Sequence, residues 1–126
     1  MPFDPMLFVD DVEATSRFLQ DLLGLKSGHG GPEYEMLLDA DGKLVLQLHH
    51  ADADEHGSDH LPDGAPRGAG VLLYYAVPDV KAAHRRAEAM GAAEGPPTYI
   101  SQARHTEFVA RIPDGYAIAV FQPGEA

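Results

Sequence analysis

The chain has 126 residues, 44% of them hydrophobic, which fits one domain spanning residues 1–126 and excludes a largely disordered protein. Nine Lys and Arg against 20 Asp and Glu give a formal net charge of −11 at pH 7, so we expect no nucleic-acid or membrane partner. The lack of cysteine excludes disulfides, thiolate metal ligands and a cysteine nucleophile.

The N-terminal residues do not match a targeting signal. Met1-Pro2-Phe3-Asp4 lacks the basic and apolar segments of a secretion signal. No apolar run of the sequence approaches the roughly 20 residues that a membrane helix requires. We therefore expect a cytoplasmic protein.

The first half of the chain predicts a strand, a helix and a hairpin. The apolar run Met6–Val9 is typical of a strand, and apolar residues spaced three and four apart then predict a helix between Asp11 as N-cap and Gly24 as stop. The predicted buried stripe of this helix consists of Val12, Thr15, Leu19, Leu22 and Leu23. Strands at Tyr34–Leu38 and Leu44–His49 flank an Asp-Ala-Asp-Gly turn, which indicates a hairpin.

The second half repeats this order of elements. An apolar run at Val71–Val77 is followed by a predicted helix with Asp79 at its start and Gly91 at its end. The predicted buried stripe of this helix consists of Val80, Ala83, Ala87 and Met90. Strands at Thr106–Arg111 and Ala117–Phe121 flank an Ile-Pro-Asp-Gly turn. The sequence thus predicts two modules, at about 3–50 and 71–123.

The segment 51–70 between the modules has no apolar period and predicts a connecting loop. It is longer than the roughly 12–15 residues usual for such connections, so we expect a lid or an interface there as well. The histidines at 49, 50, 56 and 60 alternate with acidic residues, but their spacing matches no compact metal site. A solvated acidic loop is the preferred interpretation, with a loop metal site as the alternative.

Hairpin pairing assigns the side chains of the first hairpin to two faces. Because the Asp-Gly turn pairs Leu38 with Leu44, alternate residues share a face. The apolar face, expected under the helix, consists of Tyr34, Met36, Leu38, Leu44, Leu46 and Leu48. The opposite face consists of Glu33, Glu35, Leu37, Val45, Gln47 and His49. A slip of one residue would bury Glu35 and Gln47 under the helix, which argues against it.

The side chains of the second hairpin are assigned to two faces in the same way. Its helix-packed face is predicted to consist of Phe108, Ala110, Ile112, Ile118 and Val120. Its other face is predicted to consist of His105, Glu107, Val109, Arg111, Ala117, Ala119 and Phe121. The two outer faces, together with residues of the strand that begins each module, predict a concave surface. This surface mixes aromatic and polar groups, as ligand pockets do. The candidate ligand-binding residues are Met6, Phe8, Glu33, Glu35, Gln47, His49, Leu72, Tyr74, His105, Glu107, Val109 and Phe121.

Five segments resemble a known superfamily. They are Leu7–Val12, Arg17–Leu25, Val77–Val80, Met90–Ala92 and Arg111–Tyr116. Together they are similar to the glyoxalase/bleomycin-resistance/extradiol-dioxygenase superfamily, also called vicinal oxygen chelate proteins. The resemblance implies an α+β fold in which two βαβββ modules form a curved, partly closed mixed sheet with helices on its convex face. It also implies a homodimer.

The resemblance further implies where a metal would bind. Enzymes of this superfamily place metal ligands at positions that correspond here to Asp4, Gln47, Leu72 and Ala119. Leu72 and Ala119 have no donor atom, and divalent transition metals prefer three or more good donors. The sequence therefore predicts a cavity without metal or other cofactor that binds a small molecule, an aromatic or cationic one such as an antibiotic, without transforming it.

Other interpretations remain open. A metal-dependent lyase or dioxygenase would use one divalent metal on a shifted ligand set, Gln47, His49 and Glu107. The side chains of Glu33, Glu35, His49, His105 and Glu107 would serve either as a metal or acid–base site or as a polar rim that binds cationic or hydroxyl groups of a ligand, and we favour the rim. A third interpretation is a regulatory or interaction domain with a vestigial cavity. His84, with Arg85 and Arg86, is predicted to lie on a solvated helix face.

Overall fold

The computed structural model describes residues 3–51 and 66–126. Contacts divide the chain into two compact units, residues 1–67 and 68–126. Most of the predicted connecting loop, with His56 and His60, lies outside the described residues. Its lid or interface role, its metal site and the assignment of both modules to a single domain stay predictions.

The first unit contains one helix and four strands. Its elements are β1 (Met6–Val9), α1 (Val12–Leu23), β2 (Lys26–Ser27), β3 (Tyr34–Leu38) and β4 (Leu44–His50). The strands form one sheet in the order β1-β4-β3-β2, in which β1 runs parallel to β4 and the other pairs are antiparallel.

Helix α1 begins and ends at the predicted residues. The Asp11 carboxylate accepts a hydrogen bond of 2.9 Å from the Ala14 N–H, which makes Asp11 the N-cap. Gly24 has a φ of 72° and donates its N–H to the Gln20 carbonyl at 2.9 Å, a geometry that glycine adopts readily. The predicted stripe is buried except for Leu23, which is half-buried, and Ser16 joins it.

The second unit repeats the topology of the first. Its elements are β5 (Leu72–Ala76), α2 (Val80–Ala89), β6 (Ala93–Ile100), β7 (His105–Arg111) and β8 (Ala117–Pro123). The sheet order is β5-β8-β7-β6, with β5 parallel to β8. The predicted α+β class with two βαβββ modules is therefore confirmed, as two mixed four-stranded sheets. Neither described helix is long and apolar enough to cross a bilayer.

Strands β2 and β6 were not predicted from hydrophobic alternation. Strand β2 has only two residues, Lys26 and Ser27, and both are exposed. Strand β6 contains Gly95-Pro96-Pro97, and its pairing with β7 shifts register between Glu94 and Thr98. Proline cannot donate a ladder hydrogen bond, so such a sequence is tolerated at a sheet edge, where β6 lies.

Each unit packs its helix on one face of its own sheet. In the first unit the fully buried side chains that join helix to sheet include Leu19, Leu22, Leu37 and Leu48. In the second unit Ala83 and Ala87 of α2 are buried, as are Phe108, Ala110, Ile118 and Val120 of β7 and β8. Burial of these hydrocarbon side chains, at about 25 cal/mol per Å², is the main stabilising term for each unit.

The first hairpin departs from the predicted register at a β-bulge. Leu38 pairs with Leu44 as predicted, but Leu37 then pairs with Leu46, which leaves Val45 as the extra residue. Every residue of β3 before the bulge therefore changes face relative to β4. The predicted faces of Tyr34, Glu35, Met36 and Leu37 are wrong, whereas those of Leu46, Gln47, Leu48 and His49 are right.

The second hairpin has the predicted register throughout. Phe108 pairs with Val120 and Ala110 with Ile118 on the buried face. Glu107 pairs with Phe121 and Val109 with Ala119 on the opposite face.

Candidate ligand-binding site

Four side chains of the second unit form a cluster on the sheet face opposite α2. Tyr74 comes from β5, His105 and Glu107 come from β7, and Phe121 comes from β8. Register brings them together, because Tyr74 pairs with Ala119 and Glu107 pairs with Phe121. These four residues are named the Tyr74 cluster below.

The rings of the Tyr74 cluster contact one another. The His105 and Phe121 centroids lie 4.8 Å apart with 37° between the rings. The Tyr74 ring lies 5.9 Å from Phe121 and 6.0 Å from His105. Tyr74 is 54% exposed, and Leu72 on the same strand face is 46% exposed. The cluster thus presents apolar surface to solvent over a partly buried aromatic base.

A carboxylate adjoins these rings. Glu107 Oε1 lies 2.6 Å from His105 Nε2 and accepts a weaker hydrogen bond, at 3.5 Å, from the Tyr74 hydroxyl. The side chains of His105 and Glu107 are 12% and 18% exposed. Ala119 is fully buried between its pairing partners Tyr74 and Val109. The arrangement places one negative group beside three aromatic rings.

The first unit has a second aromatic face. Met6 pairs with Gln47, and Phe8 and Tyr34 both pair with His49. The Phe8 and Tyr34 rings lie 5.7 Å and 6.4 Å from the His49 ring. The sequence predicted Met6, Phe8, Gln47 and His49 on this face but missed Tyr34, because the bulge that turns Tyr34 toward it has no local signal.

Hydrogen bonds orient the Gln47 amide within this face. Its Oε1 accepts a hydrogen bond of 2.5 Å from the Tyr34 hydroxyl, and its Nε2 donates to the Asp4 carbonyl at 3.2 Å. Burial raises the pKa of Tyr34, and the negative charges of Asp4 and Glu35 raise it further. Tyr34 therefore keeps its proton and stays a donor to Gln47.

Glu35 lies on the buried side of the first sheet and not on the predicted ligand face. Its carboxylate accepts hydrogen bonds from the hydroxyls of Ser16 at 2.8 Å and Ser27 at 2.7 Å. The backbone N–H groups of His29, Gly30 and Met36 donate to it at 3.1, 2.7 and 3.0 Å. Burial alone would raise the pKa of Glu35, but the hydrogen bonds outweigh it and the pKa is lowered.

Glu33 precedes β3 and is exposed, while its carbonyl accepts a hydrogen bond of 2.8 Å from the His50 N–H. Glu33 and Glu35 belong to the first unit, and the Tyr74 cluster belongs to the second. Of the twelve predicted residues, the second unit brings together Leu72, Tyr74, His105, Glu107, Val109 and Phe121 on one sheet face.

The residues present do not fit the metal of the superfamily's enzymes. Two of the four corresponding positions, Leu72 and Ala119, carry only hydrocarbon, and both ends of the Gln47 amide are hydrogen-bonded. Within residues 3–51 and 66–126, no three His, Asp or Glu side chains come close enough to hold an ion. Of the alternative ligand set, Gln47 and His49 belong to the first unit and Glu107 to the second.

A family model described as the Glyoxalase/Bleomycin resistance protein/Dioxygenase superfamily matches residues 4–120. The chain belongs to this superfamily, as the resemblance of its motifs predicted. No curated protein matches the sequence.

Solved structures share the fold. The chain is similar to a protein of unknown function from Agrobacterium tumefaciens str. C58, at 25% identity and a TM-score of 0.77, over 97% of this chain and 94% of that one. A possible glyoxalase from Bacillus cereus has 24% identity and a TM-score of 0.65, over 91% and 92% of the chains. FosX, a fosfomycin resistance protein from Listeria monocytogenes crystallised with Mn(II) and sulfate, has 15% identity and a TM-score of 0.72, over 99% and 90%.

Proposed function

We propose that this protein binds a small aromatic or cationic molecule, an antibiotic being one such ligand, and neither transforms it nor uses the metal of its superfamily. The observation that carries the proposal is the Tyr74 cluster, which combines exposed aromatic surface with a carboxylate. A homodimer in the cytoplasm is part of the same proposal, and light scattering on the purified protein tests the dimer.

The aromatic rings supply the contact surface for such a ligand. The exposed Tyr74 ring offers a face on which a planar ligand can stack, and an aromatic pair contributes about 0.5–1.5 kcal/mol beyond its burial. A cation placed over the same ring gains about 0.5–2 kcal/mol, depending on its desolvation.

Glu107 supplies the charge preference. Within the described residues, both hydrogen bonds to its carboxylate reach Oε1, and an ionised carboxylate has about four acceptor positions. Oε2 is therefore suited to accept a donor from a cationic ligand. The formal net charge of −11 raises the local concentration of cations around the protein and favours their association.

Thermal shift measurements with simple probes test this preference. We expect the cation benzyltrimethylammonium to raise the melting temperature in a concentration-dependent way, because a ligand that binds only the folded state stabilises it. Benzyl alcohol, a neutral aromatic, is expected to have a smaller effect, and benzoate none. Equal shifts with all three probes would contradict a role for Glu107.

Tyr74→Ala is expected to weaken binding of the cationic probe at least tenfold, because about 1.4 kcal/mol of ring contact is lost. Isothermal titration calorimetry measures the change. Tyr99→Ala is the matched control, since Tyr99 is 41% exposed but lies on the edge strand β6, outside the cluster. Glu107→Gln should weaken binding of the cationic probe more than binding of the neutral probe. Similar losses of affinity in the Tyr74→Ala and Tyr99→Ala variants would contradict a binding site at the Tyr74 cluster.

Elemental mass spectrometry tests the metal-free part of the proposal. We expect no metal that depends on Gln47 or His49 in protein purified untagged and measured both before and after dialysis against chelator. About one Mn, Fe, Ni or Zn per chain that disappears in His49→Ala would overturn the proposal in favour of a metal-dependent lyase or dioxygenase.

A further inference from the structure

The Glu107 carboxylate of the Tyr74 cluster is held through one of its two oxygens. Its Oε1 lies 2.6 Å from His105 Nε2, and an ionised carboxylate can only accept, so Nε2 donates the proton. The Tyr74 hydroxyl donates to the same oxygen at 3.5 Å. A short hydrogen bond to an ionised acceptor is strong and directional, so the contact with His105 fixes the orientation of the carboxylate. The position of the other oxygen, Oε2, is fixed with it.

The Oε2 atom of Glu107 reaches the surface. Among the described residues no hydrogen bond to Oε2 is found, and every buried side-chain nitrogen or oxygen has a partner. Oε2 is therefore accessible, although the Glu107 side chain as a whole is only 18% exposed. A carboxylate oxygen in such a partly buried position is less well hydrated than a free one, so it gains from a donor that reaches it.

The rings of the cluster do not enclose a cation on several sides. The centroids of His105 and Phe121 lie 4.8 Å apart with 37° between the rings, so each ring covers part of one face of the other. Tyr74 is 54% exposed, whereas His105 and Phe121 are only partly exposed. Quaternary ammonium ions are recognised by cages of several aromatic faces. The cluster offers such an ion one well-exposed ring and a carboxylate to which it has no hydrogen to donate.

We propose that the ligand of the Tyr74 cluster is an aromatic ammonium ion with N–H groups, a protonated primary or secondary amine, and that a hydrogen bond to Glu107 Oε2 selects it over a quaternary ammonium ion. This inference rests on the proposed function and narrows its ligand class. The Tyr74 hydroxyl contacts Glu107, so the carboxylate adjoins the hydroxyl end of that ring. A ligand ring that stacks on Tyr74 thus brings an ammonium group on a short substituent to the carboxylate.

Two probes with the same ring and the same charge test this selection. Benzylammonium has an ammonium group with three N–H donors, and benzyltrimethylammonium has none. Isothermal titration calorimetry of the full-length chain at neutral pH is expected to find benzylammonium bound about tenfold more tightly. The reason is that a hydrogen bond to a charged group keeps a net gain after both partners have lost water.

One substitution and a matched control locate the selection. Glu107→Gln should remove most of the difference in affinity between the two probes, because the charge that strengthens the hydrogen bond is lost. Glu88→Gln removes the same charge from α2, which packs on the opposite face of the second sheet, and the Glu88 side chain is 62% exposed. It should leave the ratio of the two affinities unchanged.

The outcomes separate this inference from the proposed function. Binding of neither probe to the wild type would overturn both. Equal binding of the two probes, or tighter binding of benzyltrimethylammonium, would overturn this inference alone and leave a site that recognises cations through the Tyr74 ring. A preference for benzylammonium that persists undiminished in Glu107→Gln would also overturn it. The comparison of probes on the wild type requires no substitution, so it decides even where Glu107→Gln fails to fold.

Discussion

We expect Glu35→Gln to lower the free energy of unfolding by roughly 2–4 kcal/mol, because hydrogen bonds to a charged group are each worth about 1.5–3 kcal/mol. The Glu35 carboxylate accepts from two hydroxyls and three backbone N–H groups while it is only 3% exposed. A glutamine amide replaces one acceptor oxygen by an NH₂ group, which would face these donors. Urea denaturation measures the loss.

Glu33→Gln is the matched control for this substitution. It removes the same charge two residues away, but the Glu33 side chain is exposed, so we expect a change within about 0.5 kcal/mol. Equal destabilisation by the two substitutions would show that Glu35 acts only through the net charge of the protein. The buried hydrogen bonds would then contribute nothing measurable.

The pKa of Glu35 adds a pH dependence with a definite sign. The folded-state pKa lies below the ordinary value of 4.5, so the unfolded chain binds the proton more tightly. The stabilisation is fully present above pH 4.5 and is lost as the pH falls through the folded-state value. The stability gap between wild type and Glu35→Gln should therefore narrow below pH 4.5. A gap that widens in acid would contradict this assignment.

Leu37→Ala is expected to lower the free energy of unfolding by about 2–5 kcal/mol, the usual cost of removing a fully buried leucine side chain. Leu37 is 0% exposed and packs on the helix side of the first sheet. Met36→Ala, the adjacent substitution, removes a partly exposed side chain and should cost about 1 kcal/mol or less. The pair is measured by urea denaturation under identical conditions.

This pair also tests the β-bulge of the first hairpin. The unbulged register predicted from alternation buries Met36 and turns Leu37 to the outer face. A larger loss of unfolding free energy in Met36→Ala than in Leu37→Ala would therefore indicate the unbulged register, in which Glu35 lies on the outer face. The bulged register requires the opposite order.

The second hairpin shows how far alternation alone can be used. Glu107 and Arg111 mark the face opposite Phe108, Ala110 and Ile112, and the Pro-Asp-Gly turn sets the pairing. Each residue's face then follows from its neighbours along the chain. The face that bears Glu107, Val109 and Phe121 was therefore predictable, and the Tyr74 cluster with it.

The first hairpin lacks such a local determinant. Tyr34 to Leu38 includes only one charged residue, Glu35, and both registers bury apolar side chains. Desolvation disfavours burying Glu35, but five hydrogen bonds offset it, from Ser16 of α1, Ser27 of β2, the N–H groups of His29 and Gly30 in the loop, and the Met36 N–H of β3 itself. Ser16 lies 19 residues before Glu35 on α1, and Ser27 lies on β2, so the alternation within β3 could not show these donors.

The sequence by itself determined the superfamily, the two-module plan and the capped helices. It also determined that hydrocarbon side chains stand at two of the positions where enzymes of the superfamily bind their metal. These depend on residue chemistry and on periodicity between near neighbours, which a linear sequence carries. Only the tertiary structure decided that Glu35 is buried, that Tyr34 joins the face of Gln47 and His49, and that His84, predicted on a solvated helix face, is only 13% exposed with its Nε2 2.9 Å from the Gly95 carbonyl. Each depends on a bulge or register shift that brings groups from separate elements into hydrogen-bond distance, and that outcome is set by long-range packing.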